Sequence, residues 1–224
     1  MNYPPFSGTR RTLIGIAATL GMTLVGGCAA LFPKEATPPA VYVLDGGHTA
    51  LEANAAAVSA AAAAPALVVN PTRAAPGFDS QHIMYVRVAH QLEHFAHSEW
   101  ADTPARMLTP LIVSAIERTG SFRAAGASTS GIAADLRLDT EVLRLQQQFG
   151  DTPSHVRFTL RATLSDNGTR QAISWQTFDE TMPAASDDPY GGVVAANLAV
   201  QRVMAQLARY CATVAAAHPR ATAP

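Results

Sequence analysis

The amino-acid sequence predicts an α+β domain: a mainly antiparallel sheet with two long amphipathic helices packed on it, in the order ββ(β)β–α–βββ–α. Two observations predict this class. Apolar and polar residues alternate along short segments that end in turn signals, which is typical of half-buried strands. Two longer segments, one in each half of the chain, instead carry apolar residues at helical spacing. Elements that are apolar on one face pack in layers, which gives the predicted architecture.

Four strand-like segments precede the first helix. Residues 41–44 form a short apolar run that ends in the turn signal Asp45-Gly46-Gly47. Residues 66–70 are a second apolar run, and residues 81–88 are a third. Residues 91–95 are expected to pair with the third run as a hairpin.

The first helix is predicted to begin at Thr103-Pro104 and to end before Gly120. We expect the Thr103 hydroxyl to cap the helix, with Pro104 at the first helical position. Glycine is common just beyond a helix end. One face of this helix carries the apolar residues Leu108, Leu111, Ile112, Ala115 and Ile116.

The second half of the chain repeats the order of strands and then a helix. Residues 132–145 predict one strand, and residues 156–164 predict another because large apolar residues alternate strictly with polar ones. The turn signal Asp166-Asn167-Gly168 leads into a partner strand at residues 170–178. The closing helix is expected over about 189–217, and its buried stripe comprises Val193, Val200, Val203, Met204, Leu207, Cys211 and Val214.

The N-terminus has the pattern of a bacterial lipoprotein signal over residues 1–27. Arg10 and Arg11 form a positive region, and an apolar stretch over residues 13–25 follows, too short for a comfortable membrane span. Leu24-Val25-Gly26-Gly27-Cys28 resembles a lipobox, so Cys28 is predicted to bear the lipid as the first mature residue. The arginine pair also partly resembles a twin-arginine signal, which leaves the export route open.

The mature chain divides into a tether at residues 28–40, one domain at residues 41–217 and a tail at residues 218–224. The domain contains a nearly all-alanine insertion at residues 53–64, expected to be an exposed helix or disordered. Hydrophobic residues make up 48% of the chain and charged residues 15%, which indicates a globular protein. The formal net charge is −1 and no basic tract is interleaved with aromatic residues, so a nucleic-acid partner is not expected.

One motif resembles a catalytic signature. His90-Gln91-Leu92-Glu93-His94 matches the H-x-x-E-H pattern of inverted zinc metalloproteases, and His97 is nearby. That chemistry needs both histidines on one helical turn. On the strand predicted here they would lie about 13 Å apart, too far to share an ion. We therefore expect neither a metal, a cofactor nor an enzyme, with a zinc hydrolase using His90, Glu93 and His94 as a remote alternative.

The order of segments resembles the ABC-type transport auxiliary lipoproteins, outer-membrane partners of MCE-type lipid-transport systems that include the paraquat-inducible group. The resemblance covers roughly residues 41–215 and consists of strand and loop patterns. Its matching residues are Tyr42-Val43-Leu44, Pro71, Ala75-Pro76-Gly77-Phe78-Asp79-Ser80, Ile83, Tyr85, residues 95–100, Pro104, Met107, Leu108, Asp135, Leu136, Leu138, Phe149 and residues 156–164. The alanine-rich insertion departs from this pattern.

The resemblance implies a non-catalytic periplasmic lipoprotein that is anchored to the outer membrane through acyl chains on Cys28. Its implied partners are an MCE-domain protein and, indirectly, an ABC permease and ATPase. A homo-oligomer is compatible with the sequence. The alternative is a structural lipoprotein of another envelope assembly or secretion complex, which the tether and the layered domain fit equally well.

A candidate partner interface follows from the loop at residues 71–80, because loops lie on the surface and often carry function. Phe78 is hydrophobic, and it either covers the end of the sheet or contacts the MCE protein or a neighbouring copy. The candidate interface comprises Pro76, Gly77, Phe78, Asp79, Tyr85 and Trp100.

Overall fold

A computed structural model describes residues 38–46 and 64–217 of the chain. The chain divides into two units, Met1–Pro38 and Pro39–Pro224, and nearly all described residues belong to the second. The predicted signal, Cys28, the tether up to residue 37, residues 53–63 of the alanine-rich insertion and the tail lie outside the described residues. Among the described helices, none is both long and apolar enough to cross a membrane.

Five strands precede the first helix: β1 (Ala40–Tyr42), β2 (Ala66–Val69), β3 (Arg73–Ala74), β4 (His82–Val86) and β5 (Leu92–Trp100). All four predicted strands of this half are confirmed, and β4 and β5 form the expected antiparallel hairpin. β5 extends five residues beyond the predicted end. The two-residue strand β3 lies inside the predicted loop at residues 71–80.

Helix α1 (Pro104–Glu117) begins with Pro104 at its first position, as predicted. The prediction that the Thr103 hydroxyl caps the helix is wrong, because the Thr103 side chain makes no capping hydrogen bond. The Thr103 carbonyl already accepts hydrogen bonds from the backbone N–H groups of Arg106 and Met107, at 3.0 and 3.1 Å. The first turn is further stabilised by Asp102, whose carboxylate pairs with Arg106 at 3.2 Å.

The second half contains β6 (Ala124–Ala127), a 3-10 turn (Ser128–Ser130), β7 (Leu136–Gln148), β8 (His155–Asp166), β9 (Ala172–Pro183) and the long helix α2 (Pro189–Ala217). The strict alternation predicted along β8 is confirmed, with its apolar residues buried. Strand β6 has the sequence Ala-Ala-Gly-Ala and no strand signal of its own. It pairs in parallel with β2, which supplies the strand geometry that its side chains do not favour.

Strand β7 is the centre of the nine-stranded sheet. One of its edges pairs with β8 along nearly its whole length, and β9 continues the sheet on that side. The other edge pairs in turn with β2, β3 and β4. Strand β6 extends the sheet beyond β2, while β5 and then β1 extend it beyond β4.

The α+β class is confirmed, with a mixed sheet where we expected a mainly antiparallel one. The hairpins β4–β5, β7–β8 and β8–β9 are antiparallel. The pairings of β1 with β5, of β2 with β6, and of β7 with β2, β3 and β4 are parallel. Turn signals predict pairing between neighbouring strands, whereas parallel strands are joined by long connections that carry no such signal.

The core lies between the sheet and the two helices, which pack against each other. Helix α2 packs on β8 and β9, and its predicted stripe is buried except for the half-buried Val214. Phe158, Leu160 and Leu164 of β8 face this helix layer and are fully buried. Burying one such side chain stabilises the fold by about 1.5–3 kcal/mol. The opposite, outer face of β7 and β8 carries polar side chains.

Candidate functional site

The loop at residues 71–80 is tied to the central strand of the sheet. Its short strand β3 pairs with Glu141 and Val142 of β7. The backbone N–H of Ala75 donates a hydrogen bond to the Val142 carbonyl at 2.8 Å, and that of Phe78 donates to the Ala75 carbonyl at 3.0 Å. These bonds hold Phe78 at a defined place over the sheet.

Gly77 allows the turn that brings Phe78 onto the sheet. Its φ of 91° lies in the region that favours glycine, and a Cβ atom there would lie 3.2 Å from Leu92 Cδ2. Phe78 itself is half-buried and packs against the hydrophobic core. Its neighbours Pro76 and Asp79 are exposed. The ring therefore covers part of the sheet and also reaches solvent.

Phe78 lines an open groove of about 400 Å³, here called the Phe78 groove. This volume falls within the range of ligand sites, about 300–1,000 Å³. The lining combines apolar side chains with two arginines and contains no carboxylate. Its other members are Val86, Ala89, His90, Leu92, Leu143, Arg144, Gln146, Gln148 and Arg157.

A bulge in β7 determines which side chains enter the groove. The pairing register with β8 shifts between Val142 and Arg144. Up to the shift, Leu138 and Val142 face the core, and after it Leu145 does. An extra residue in a strand re-aims the side chains that follow it. The shift therefore turns Arg144 to the outer face, where it lines the groove.

One of the two groove arginines is held by a carboxylate. Arg157 contacts Asp179 through Nη2 at 2.5 Å and through Nε at 3.0 Å, and the Thr159 hydroxyl donates to the same carboxylate at 2.8 Å. These hydrogen bonds, led by that from Arg157, hold the pKa of Asp179 below its usual value. The bond to Asp179 likewise raises the pKa of Arg157.

Arg144 is the second arginine of the groove and forms no ion pair with a described carboxylate. Its charge helps to lower the pKa of Asp179, so the two groups lie near each other. Yet within the part of the chain that the structure describes, no carboxylate lies within ion-pair distance of Arg144. A guanidinium beside apolar walls suits an anionic group that is attached to an apolar one. The groove thus presents a guanidinium next to apolar side chains.

Tyr85 lies in a different cluster from Phe78. Its ring centroid is 4.5 Å from that of Phe95 and 5.8 Å from that of Phe149. The Arg87 guanidinium lies 5.1 Å from the Tyr85 centroid, and the Tyr85 hydroxyl donates to Glu93 at 2.8 Å. This hydrogen bond raises the pKa of Tyr85. Successive strand residues face opposite sides, so Tyr85 points away from the groove that Val86 lines.

Trp100 belongs to the core. Only 3% of its surface is exposed, so it offers no surface to a partner. Of the six residues of the candidate interface, the structure therefore keeps Pro76, Gly77, Phe78 and Asp79 together in one loop. It separates Tyr85 and Trp100 from them.

The residues of the H-x-x-E-H motif do not converge. His90 is exposed in the turn before β5, with a φ of 69°. His94 stacks on His82 with ring centroids 4.1 Å apart, and Glu93 accepts the hydrogen bond from Tyr85. Across residues 38–46 and 64–217, no three His, Cys, Asp or Glu side chains are grouped so that they could hold a metal ion.

The family model described as the ABC-type transport auxiliary lipoprotein component matches residues 50–208. The chain belongs to this family. The match covers most of the domain, including β2 to β9, the loop at residues 71–80 and the Phe78 groove. The resemblance inferred from the sequence is confirmed.

Solved structures share the fold of this auxiliary lipoprotein. A protein of Xanthomonas campestris from family DUF330 superposes with a TM-score of 0.66 at 22% identity, over 81% of this chain and 98% of its own. An uncharacterized protein superposes with a TM-score of 0.59 at 14% identity, over 78% and 99% of the two chains. No curated protein matches the sequence.

Sequence reasoning missed most of the groove lining, including Leu92, Arg144 and Arg157. Arg157 has a usable signal, because it lies on the polar face of a strictly alternating strand. Arg144 has none, because the bulge before it reverses the alternation of β7. Leu92 occupies one of the two unspecified positions of the H-x-x-E-H motif, so the motif assigns it no role.

Proposed function

We propose that this auxiliary lipoprotein is a non-catalytic component of an ABC/MCE-type system that moves lipid between the inner and outer membranes. The match of the family model over residues 50–208 carries the proposal. Acyl chains on Cys28 anchor the protein to the periplasmic face of the outer membrane. The lipobox before Cys28 and the alanine after it support this placement, because an aspartate there would resemble an inner-membrane retention signal. A separate ATPase supplies the energy.

The MCE-domain protein docks at the Phe78 groove. Three features support this surface. The loop carrying Phe78 is hydrogen-bonded to the sheet, and part of the Phe78 ring reaches solvent. Arg144, which lines the same groove, makes no ion pair with a carboxylate among the described residues. A partner segment with an apolar side chain next to an acidic one would fill the groove and pair with Arg144. Buried aromatic and arginine contacts of this kind dominate the binding energy of protein interfaces.

Co-purification of the MCE protein from solubilised membranes tests the docking surface. Phe78→Ala is expected to reduce the amount recovered, while the free energy of unfolding falls by only about 1–2 kcal/mol, since full burial of the ring would cost about 3–5. Trp175→Ala is the matched control, because Trp175 is an aromatic residue that is 69% exposed elsewhere on the sheet. Equal recovery with both variants would refute docking at the groove.

The anchor and the partner class are tested separately. Cys28→Ser should abolish metabolic labelling with a palmitate analogue, because its thiol is the only lipid acceptor in the lipobox. Labelling that persists in this variant would refute the anchor. Recovery of secretion or other envelope-assembly proteins, with no MCE protein among them, would instead favour a structural lipoprotein of another complex.

A further inference from the structure

Strand β9 forms a long free edge of the sheet. It has twelve residues and, among the described strands, it pairs with β8 alone. The strands at the other ends of the sheet, β1 and β6, have only three and four residues. Between Ser174 and Met182 the register with β8 is continuous, and this stretch contains neither lysine nor proline. β9 therefore offers an uninterrupted edge to which a further strand can pair.

Alternate backbone N–H groups of β9 point away from β8. The Ala184 N–H donates to the carbonyl of Ser154, which lies directly opposite, at 2.8 Å. Hydrogen-bonded pairs alternate along an antiparallel ladder, so the even-numbered residues of this stretch bond to β8 and the odd-numbered residues face outward. Proline is tolerated at a position that faces an open edge, and Pro183 is odd-numbered. The outward N–H groups are those of Trp175, Thr177, Asp179 and Thr181.

Helix α2 places two arginines beside this edge. Arg202 contacts the Glu180 carboxylate of β9 at 3.9 Å, and the Gln206 amide donates to the same carboxylate. Arg209 follows Gln206 by three residues, so it belongs to the same row on the helix surface. Because Arg202 and Gln206 both reach β9, this row runs along the β9 side of α2. Both arginines are exposed.

The helix side of the edge carries an excess of positive charge. The two carboxylates of β9 both have cationic partners, Asp179 in Arg157 and Glu180 in Arg202. Within the described ranges, no carboxylate lies within ion-pair distance of Arg209. A strand added beyond β9 would lie about 4.8 Å from it, so its side chains on the helix side would meet the arginine row. Acidic side chains at these positions would pair with Arg209.

An acidic segment of another protein fits this edge better than a second copy or a further segment of this chain. Pairing two copies through β9 would bring Arg202 and Arg209 of both copies together, and like charges across an interface repel each other. The residues outside the described ranges contain only two acidic side chains, Glu35 and Glu52, which lie in separate segments. They do not supply the repeated acidic positions that the arginine row favours.

We propose that the free edge of β9 binds an extended acidic segment of a partner protein as an additional strand of the sheet. Main-chain hydrogen bonds with the outward-facing groups hold the segment, and Arg209 selects its acidic side chains. The site is distinct from the Phe78 groove and does not depend on docking there.

Trp175 reports on the edge in the full acylated chain, held in phospholipid nanodiscs. It is 69% exposed, whereas the other tryptophan, Trp100, is only 3% exposed and gives a constant background. The probe is an acetylated peptide in which valine and glutamate alternate, as long as the stretch from Ser174 to Met182. Acrylamide quenching of Trp175 should fall about twofold as the peptide binds, because a side chain on the neighbouring strand covers one side of the ring. The matched peptide with lysine in place of glutamate should bind about tenfold more weakly or worse.

Two substitutions separate the main-chain contact from the charge. Thr177→Pro removes a central outward N–H without removing a bond to β8, so it should weaken binding of the glutamate peptide several-fold. Thr177→Ala keeps this N–H and is expected to bind like the parent. Thr181→Pro replaces Thr177→Pro if that variant does not fold. Arg209→Glu should reverse the preference, so that the lysine peptide binds more tightly than the glutamate peptide.

Equal binding of the two peptides by the parent protein overturns the proposal, as does binding of the glutamate peptide that Thr177→Pro leaves unchanged. Binding that is lost in Phe78→Ala but kept in Thr177→Pro and Arg209→Glu takes place at the groove, and it also overturns the proposal. If Trp175 without peptide is as shielded from acrylamide as Trp100, another segment of this chain or a second copy covers the edge, and the proposal is wrong.

Discussion

Replacing Gly192 by alanine tests how α2 is fitted against the central strand. A Cβ atom at Gly192 would overlap Oε1 of Gln147 and lie 2.9 Å from its Cδ. Gln147 is only 2% exposed, and its Nε2 donates to the buried Ser154 hydroxyl at 2.8 Å. The Ser154 backbone N–H in turn donates to Asp187 at 2.8 Å. The added methyl group must displace the Gln147 amide and break the first of these bonds.

The expected magnitude follows from three opposing contributions. Alanine stabilises a helix interior by about 1 kcal/mol relative to glycine. Overpacking a filled site costs about 1–3 kcal/mol. Leaving the buried polar atoms of Gln147 and Ser154 without their hydrogen bond costs a further 1–3 kcal/mol or so. The net expectation for Gly192→Ala is a loss of about 2–3 kcal/mol in the free energy of unfolding.

Urea denaturation in a Cys28→Ser background measures this loss, with circular dichroism as the signal. Gln147→Ala removes the side chain that the new methyl group meets. In that background Gly192→Ala should therefore be nearly neutral or stabilising, and the two substitutions should couple by about 2 kcal/mol. If Gly192→Ala lowers the free energy of unfolding equally with and without Gln147→Ala, the contact with Gln147 is not the cause of the loss. If Gly192→Ala alone is neutral, the close approach of Gly192 to Gln147 is refuted.

Three further outcomes are expected. Asp179→Asn should cost at most about 1 kcal/mol at pH 7, because the ion pair with Arg157 is partly exposed. The folded-state pKa of Asp179 is lowered, so its contribution is present above the unfolded-state pKa and is lost as pH falls through the folded-state value; urea titrations across acidic pH should show the variant and parent converging. Cys211 should not react with a thiol reagent at pH 8 until the protein unfolds, since burial raises its pKa to about 12. His90→Ala with His94→Ala should leave the fold intact, because the two side chains do not share a ligand, whereas a stoichiometric metal lost in that double variant would favour the hydrolase alternative.

Local sequence patterns were sufficient to predict the regular strands and helices, which contain no bulge and do not depend on a distant partner strand. The alternation along residues 156–164 and the Asp166-Asn167-Gly168 turn predict β8 and its hairpin with β9, because both depend on neighbouring residues. Helix α2 follows from its apolar stripe in the same way. The order of such segments also sufficed for the family, which the match over residues 50–208 confirms. Lipidation at Cys28 remains a prediction.

Pairing between distant segments was decided only by the tertiary structure. Strand β6 exists because β2 pairs with it in parallel, and no property of Ala-Ala-Gly-Ala requires that. The bulge in β7 turns Arg144 onto the outer face, where the loop of Phe78 completes a groove. Likewise, Asn197 joins the end of β1 to α2 across more than 150 residues of sequence. By itself the sequence determines which face of each element is apolar. Which elements meet depends on hydrogen bonds and packing between residues that are far apart in the chain, and these leave no periodic signal.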